Sequence, residues 1–303
     1  MHTTNIFTSI AATLLLTSSC VAASTALLPS VTSEQLNPQR ISVQTQGSGS
    51  DVILIPGLAS SREVWADLAA DLRKRHRIHL VELAGFASTP AISNPDGEVI
   101  APAVDAIAEY IRSQHINAPA IIGHSLGGEI ALMLGARHPD QVGRLMIVDA
   151  LPFYTLMIDP AATSETAVQQ ATTTRNWLLA QSAEQRVAAQ KTSIARLAKT
   201  EAVRPALVEA GINSDRETVA DAVYELMITD LRPELGRIKA PIEIVYAWDV
   251  LFGVPAAGVD AMYRQAYVSA PDIHFTRIDN SFHFIMLDQP ERFSGAVAAF
   301  LNK

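Results

Sequence analysis

The chain reads as an α/β protein with a mostly parallel, doubly wound sheet, interrupted once by a block of helices. Three observations predict this. Short, continuous apolar runs recur along the 303 residues, and such runs suit strands buried on both faces of a parallel sheet. Segments with apolar residues at the 3.6-residue period separate them, and strands alternating with helices build a sheet covered on both sides. The alternation stops between Ala150 and Arg237, where no strand-like run occurs.

The elements follow in order. No Asp, Glu, Lys or Arg precedes Glu34, and an apolar stretch runs from Ile6 to Leu16 before small residues through Ala26. Residues 1–26 therefore read as a signal peptide with cleavage near Val21-Ala22-Ala23 or Ala22-Ala23-Ser24, which predicts a periplasmic or secreted protein. The run is too short and too rich in Ser and Thr to span a bilayer, which takes about 20 apolar residues. Cys20, the sole cysteine, falls inside this segment, where Thr17-Ser18-Ser19 makes a poor lipidation context.

Arg40 to Gln46 alternates apolar and polar residues, as a half-buried strand does. Val52-Ile55, Ile78-Leu83, Ala120-Ile122, Leu145-Val148, Ile242-Tyr246 and Ile273-Ile278 are the strand-like runs. Trp65, Leu68, Ala69 and Leu72 share one helical face, as do Val104, Ile107, Ala108 and Ile111. Leu126 to Arg137 is a third helix, stopped at His138-Pro139, and Pro290 to Leu301 is the last. The basic cluster Arg73 to His79 is expected to cap a helix C-terminus, where positive charge is favoured. Within the interruption, Ser182 with Gln185 and Ser214 with Glu217 have capping-box spacing. Val219, Ala222, Val223, Leu226 and Met227 form an apolar stripe on the last of its helices. Residues 40–150 and 236–303 are thus expected to form the core and 151–235 a helical cap on the carboxyl side of the sheet, where open α/β folds bind ligands.

Composition narrows the function. A hydrophobic fraction of 49% with 18% charged residues supports a sizeable core, and a net charge of −8 argues against a nucleic-acid partner. One cysteine excludes an intrachain disulfide and a multi-thiolate metal site. The sequence holds no phosphate-binding loop, no dinucleotide fingerprint after a strand and no H-E-x-x-H, so no cofactor and no metal are expected.

The sharpest signal is Gly123-His124-Ser125-Leu126-Gly127-Gly128, a G-x-S-x-G between a buried strand and a helix. That context is what a nucleophile elbow requires. Gly123 and Gly127 relieve crowding in the turn, and Ser125 sits at the N-terminus of the following helix, where developing negative charge is favoured. A serine needs a base. His283, in the loop after the last strand, is the expected one, ahead of His274 inside a strand. His124 neighbours the nucleophile, so its side chain is expected to point elsewhere and pack within the elbow. Asp249 and Asp149 each follow a strand-like run. Asp249 is favoured as the acid that orients the imidazole, and Asp149 is the alternative. The expected oxyanion donors are the N–H of Leu126 and, from the Pro56-Gly57-Leu58-Ala59 loop, that of Leu58.

With Pro56-Gly57-Leu58, Trp65, Gly123 to Gly128, Asp249, His283 and Pro290 in place, the chain resembles the α/β-hydrolase superfamily, of the exported, cap-bearing serine hydrolase kind. The likeness covers roughly residues 40 to 303 and is specific in the core. Three departures stand out. Pro56 occupies a position that is often His in the family. Ala87 replaces a glycine of the loop after the Ile78-Leu83 strand. Ala247-Trp248-Asp249 is one residue shorter than the usual Gly-x-x-Asp. The resemblance implies hydrolysis of a small-molecule carboxylic ester through an acyl-enzyme on Ser125. A carbon–carbon bond hydrolase or perhydrolase on the same residues, or a non-catalytic binding protein that keeps the pocket, are the alternatives.

Overall fold

The computed structural model describes residues 32–35, 40–93 and 96–302. The N-terminal segment read as a signal peptide, including Cys20, lies outside the described residues. One sheet of eight strands runs through the molecule in the order β1-β2-β4-β3-β5-β6-β7-β8. The strands are β1 (Thr32–Gln35), β2 (Ile41–Gly47), β3 (Ser50–Ile55), β4 (His76–Leu83), β5 (Ala120–His124), β6 (Arg144–Val148), β7 (Ile242–Trp248) and β8 (Ile273–Asp279). β1 pairs antiparallel with β2, and β2 antiparallel with β4. From β4 onward every pairing is parallel.

The apolar runs explain the sheet's interior. Ile53, Leu54, Ile55, Ile121, Ile122, Met146, Ile147 and Val148 are each wholly buried, because helices cover both faces. On one face α2 (Ile100–Ser113) and α3 (Leu126–Arg137) pack with α8 (Ala256–Ala266); on the other, α1 (Ala66–Leu72) and α10 (Pro290–Leu301) pack around Trp65 and Phe293. The first half of the basic cluster caps α1: Arg73 is its C-cap residue, and the N–H groups of Arg73, Lys74 and Arg75 reach the carbonyls of Ala69, Asp71 and Leu72. The second half, His76 to His79, opens β4, with His79 buried between Asp51 and the Tyr110 hydroxyl.

Between β6 and β7 the chain forms α4 (Ser164–Ala180), α5 (Ala183–Leu197), α6 (Arg204–Ile212) and α7 (Arg216–Ile228). Ser182 and Gln185 close the expected capping box at the start of α5. The cap of α7 falls one residue later than the spacing suggested. Asp215, rather than Ser214, accepts from the Thr218 N–H, while the Ser214 hydroxyl donates to the Ala210 carbonyl and accepts from the Ala87 N–H. A short helix, α9 (Ile285–Asp288), precedes α10. Among the described residues no helix is long and apolar enough to cross a membrane.

Candidate active site

Because β5 to β8 are parallel, the residues that follow them share one edge of the sheet. Ser125 follows β5, Asp149 follows β6, Asp249 follows β7 and His283 comes four residues after β8.

Ser125 occupies the turn between β5 and α3 with φ 55° and ψ −122°, a backbone state that side-chain-bearing residues seldom adopt. Its N–H donates to Val148 O at 2.9 Å, and its carbonyl accepts from the N–H groups of Gly128 and Glu129. The flanking glycines are obligatory for packing. A Cβ on Gly123 would stand 2.0 Å from Gly127 O, and one on Gly127 would stand 2.3 Å from Ile55 O. The turn therefore admits nothing larger than hydrogen at these two places.

Leu126 is the first residue of α3, so its N–H has no acceptor inside the helix. The loop after β3 presses on the elbow. A Cβ on Gly57 would lie 3.1 Å from the Ser125 Cβ, and Ala59 has φ 51°. Leu58, between them, is carried over the same edge as Leu126.

His283 Nδ1 lies 2.7 Å from Asp149 Oδ2. Since an ionised carboxylate only accepts, Nδ1 carries the proton and Nε2 is left with its lone pair. Asp149 has φ 49°, which turns it off the strand and over the sheet edge. Its other oxygen, Oδ1, accepts from the Ala247 N–H at 2.9 Å and from the Tyr263 hydroxyl at 3.1 Å. Burial, helped by the nearby Asp149 charge, pushes the Tyr263 pKa well above its ordinary value, so this hydroxyl keeps its proton.

Asp249, the favoured acid on sequence grounds, does not meet the imidazole. It is wholly buried and accepts from Lys199 Nζ and from the Leu251 N–H. Burial works against its ionisation, and those two donors outweigh burial and hold its pKa below the ordinary 3.8. The reason for the mismatch is register. Val148, the last residue of β6, pairs with Val245, but β7 runs on to Trp248. Asp149 is thus level with Tyr246. Asp249 stands three positions further along, a displacement of roughly 10 Å at strand rise.

The loop bearing His283 is held at several points. Asn280 turns it with φ 63°. The Asp288 carboxylate accepts from the N–H of Phe282 at 2.9 Å, and from those of Lys199 and Thr200 at 3.0 and 2.8 Å. One side chain therefore ties the His283 loop to the segment after α5. His124 joins this set unexpectedly: its ring packs 4.5 Å, centroid to centroid, from that of His283, and its Nε2 reaches the His283 carbonyl. Its ring is buried within the elbow, as its place beside Ser125 suggested, but no sequence spacing signals the contact with His283. Among the described residues no cluster of His, Cys, Asp and Glu is arranged to hold a metal ion.

Comparison with known proteins agrees with this architecture. A pimeloyl-[acyl-carrier protein] methyl ester esterase from Chromobacterium violaceum is 29% identical over 264 residues, covering 86% of this chain and 97% of that protein. An esterase from Exiguobacterium antarcticum superposes with a TM-score of 0.74 at 18% identity, covering 90% of this chain and all of its own. The enol-lactonase from Burkholderia xenovorans LB400 does so with a TM-score of 0.72, also at 18% identity and with 90% of this chain covered and the whole of that one. The family model for the alpha/beta hydrolase fold matches residues 52–217, a stretch that includes the elbow and Asp149. This chain is a hydrolase and belongs to the alpha/beta hydrolase family.

Proposed function

We propose that the protein cleaves carboxylic esters through a covalent acyl-enzyme on Ser125, with His283 as base and Asp149 as the acid that orients it. One observation carries this reading: the 2.7 Å contact between His283 Nδ1 and Asp149 Oδ2, formed where His283 packs against the residue preceding a strained serine. The methyl ester esterase and the enol-lactonase named above support an ester as the bond broken.

The sequence of events follows from the atoms. Ser125 Oγ attacks the ester carbonyl while His283 Nε2 takes its proton. Asp149 stabilises the imidazolium through Nδ1–H, at no cost in reorganisation, because Ala247 N–H and Tyr263 O–H already fix the carboxylate. The N–H groups of Leu58 and Leu126 receive the charge that develops on the carbonyl oxygen. His283 then returns the proton to the leaving alcohol. Water, activated by the same nitrogen, releases the acid and frees Ser125. The four helices between β6 and β7 serve as the cap, and the Asp288 carboxylate is its anchor beside the base.

Ser125→Ala tests the reading. Turnover of a p-nitrophenyl ester should fall by about 10⁵ or more, in line with loss of a serine nucleophile elsewhere. A fluorophosphonate probe should label the unaltered protein at Ser125 and leave the variant unlabelled. Retained turnover in the variant refutes the mechanism.

A further inference from the structure

The residue before the nucleophile is fully buried, yet it reaches the base. His124 Nε2 lies 3.0 Å from the main-chain oxygen of His283. A carbonyl can only accept, so Nε2 bears the proton and Nδ1 the lone pair. The ring is enclosed by aromatic neighbours: His283 at 4.5 Å, Phe284 at 5.0 Å, and Trp65 nearly perpendicular at 6.4 Å. It has no room to turn away without disturbing the core around Trp65. Burial above all, and then the adjacent His283, hold the His124 pKa well below its ordinary value. It stays neutral, so it puts no second positive charge beside the imidazolium that forms on His283.

The contacts on His283 divide by position. Its side chain is held by Asp149. The N–H of the residue before it is held by Asp288, and the N–H of the residue after it donates to Leu197 O at 3.1 Å. The carbonyl of His283 itself accepts from His124 Nε2 and, at 3.0 Å, from the Ile285 N–H of its own loop. The elbow therefore carries the nucleophile on one residue and a grip on the base's main chain on the residue before it.

We propose that His124 is a positioning residue: the Ile285 N–H binds the His283 carbonyl only within its own loop, whereas the His124 Nε2–H ties that carbonyl to the elbow and so fixes where the His283 ring stands relative to Ser125. This rests on the ester-hydrolase reading above. Any shift of the elbow then carries nucleophile and base together, which preserves the distance that proton transfer requires.

Two substitutions separate the N–H from the ring. His124→Phe keeps an aromatic ring against Trp65 and Phe284 and removes the donor. His124→Gln loses the ring and keeps an N–H at similar reach. With a p-nitrophenyl ester, His124→Phe should lower kcat about tenfold and leave KM within about twofold, as expected when a base is misplaced and ground-state binding is not. The rate of fluorophosphonate labelling of Ser125 should fall in parallel. His124→Gln should recover kcat to within about threefold of the unaltered enzyme. Should His124→Phe fail to fold, His124→Asn, whose amide is too short to reach the carbonyl, takes its place with the same expected loss. Unchanged kcat in the donor-less variant, or a Gln variant as slow as it, overturns the proposal. Failure of the ester-hydrolase reading would look different: the unaltered protein itself would resist the probe.

Discussion

Asp149 and Asp249 close neighbouring parallel strands, yet they have opposite fates. Asp149 leaves β6 with a positive φ, curls over the sheet edge and meets His283. Asp249 leaves β7 in an extended conformation, is wholly buried, and is neutralised by Lys199 from the segment after α5. The same residue type at the same kind of position thus serves two ends. One carboxylate faces the imidazole, and the other holds a helical segment against the core. The difference comes from strand length: β7 outruns β6 by three residues beyond their last shared row. Which of the two carboxylates meets the imidazole is set by which strand ends level with the His283 loop.

Substitutions at the two sites should separate those roles, most strongly in kcat. Asp149→Asn keeps an oxygen for Ala247 N–H and Tyr263 O–H but presents an amide N–H to His283 Nδ1. That forces the proton onto Nε2 and removes the base, an effect on the order of 10⁴ in a serine protease. Asp249→Asn should keep kcat within about tenfold, because its carboxylate has no part in the proton's path. Comparable losses at both positions, measured with one p-nitrophenyl ester, would erase the distinction.

Stability should show the converse ranking. Lys199→Ala leaves Asp249 buried with only the Leu251 N–H to offset its charge. Breaking a fully buried pair costs several kcal/mol, but the Lys199 side chain is 40% exposed, so about 1–2 kcal/mol is expected after screening by solvent. Denaturant unfolding checks this. The pH dependence has a definite sign. The folded-state pKa of Asp249 is depressed below 3.8, so its contribution to stability is fully present above that pH and disappears as pH falls through the lower folded value. Asp249→Asn should lack this acid-limb component; an acid limb identical to that of the unaltered protein would show that the pair contributes nothing. The smallest effect is expected at Tyr263. Tyr263→Phe removes one of the two donors to Asp149 Oδ1 and should cost a few-fold in kcat, roughly the worth of one hydrogen bond. No change would mean that Ala247 N–H alone fixes the carboxylate.

Much of the fold was legible because burial on two faces leaves a plain trace. The runs at Val52-Ile55, Leu145-Val148 and Ile242-Tyr246 lie in β3, β6 and β7, and the bounds Leu126–Arg137 and Pro290–Leu301 coincide with α3 and α10. The elbow was legible for a local reason, since the crowding at Gly123 and Gly127 is a property of the turn itself. What the sequence hid was relational. The choice between Asp149 and Asp249 depends on how far two adjacent strands extend past a common row, which neither strand encodes alone. The cluster Arg73 to His79 was legible only in its first half, which caps α1; from His76 on, the alternation with Ile78 and Leu80 belongs to a strand, and pairing with Asp51 and Tyr110 makes use of the buried histidine. The contact of His124 with the His283 carbonyl joins residues 159 positions apart, with only the folded elbow to bring them together.

The most direct test is the proton between His283 and Asp149. An imidazole N–H donated to a carboxylate at 2.7 Å should give a far-downfield exchangeable resonance in the proton NMR spectrum, coupled to ¹⁵N in labelled histidine. The account predicts that the resonance is present in the unaltered protein and in Asp249→Asn, and absent in Asp149→Asn and His283→Ala. A resonance that survives Asp149→Asn and vanishes in Asp249→Asn would assign the acid to β7 and contradict the account.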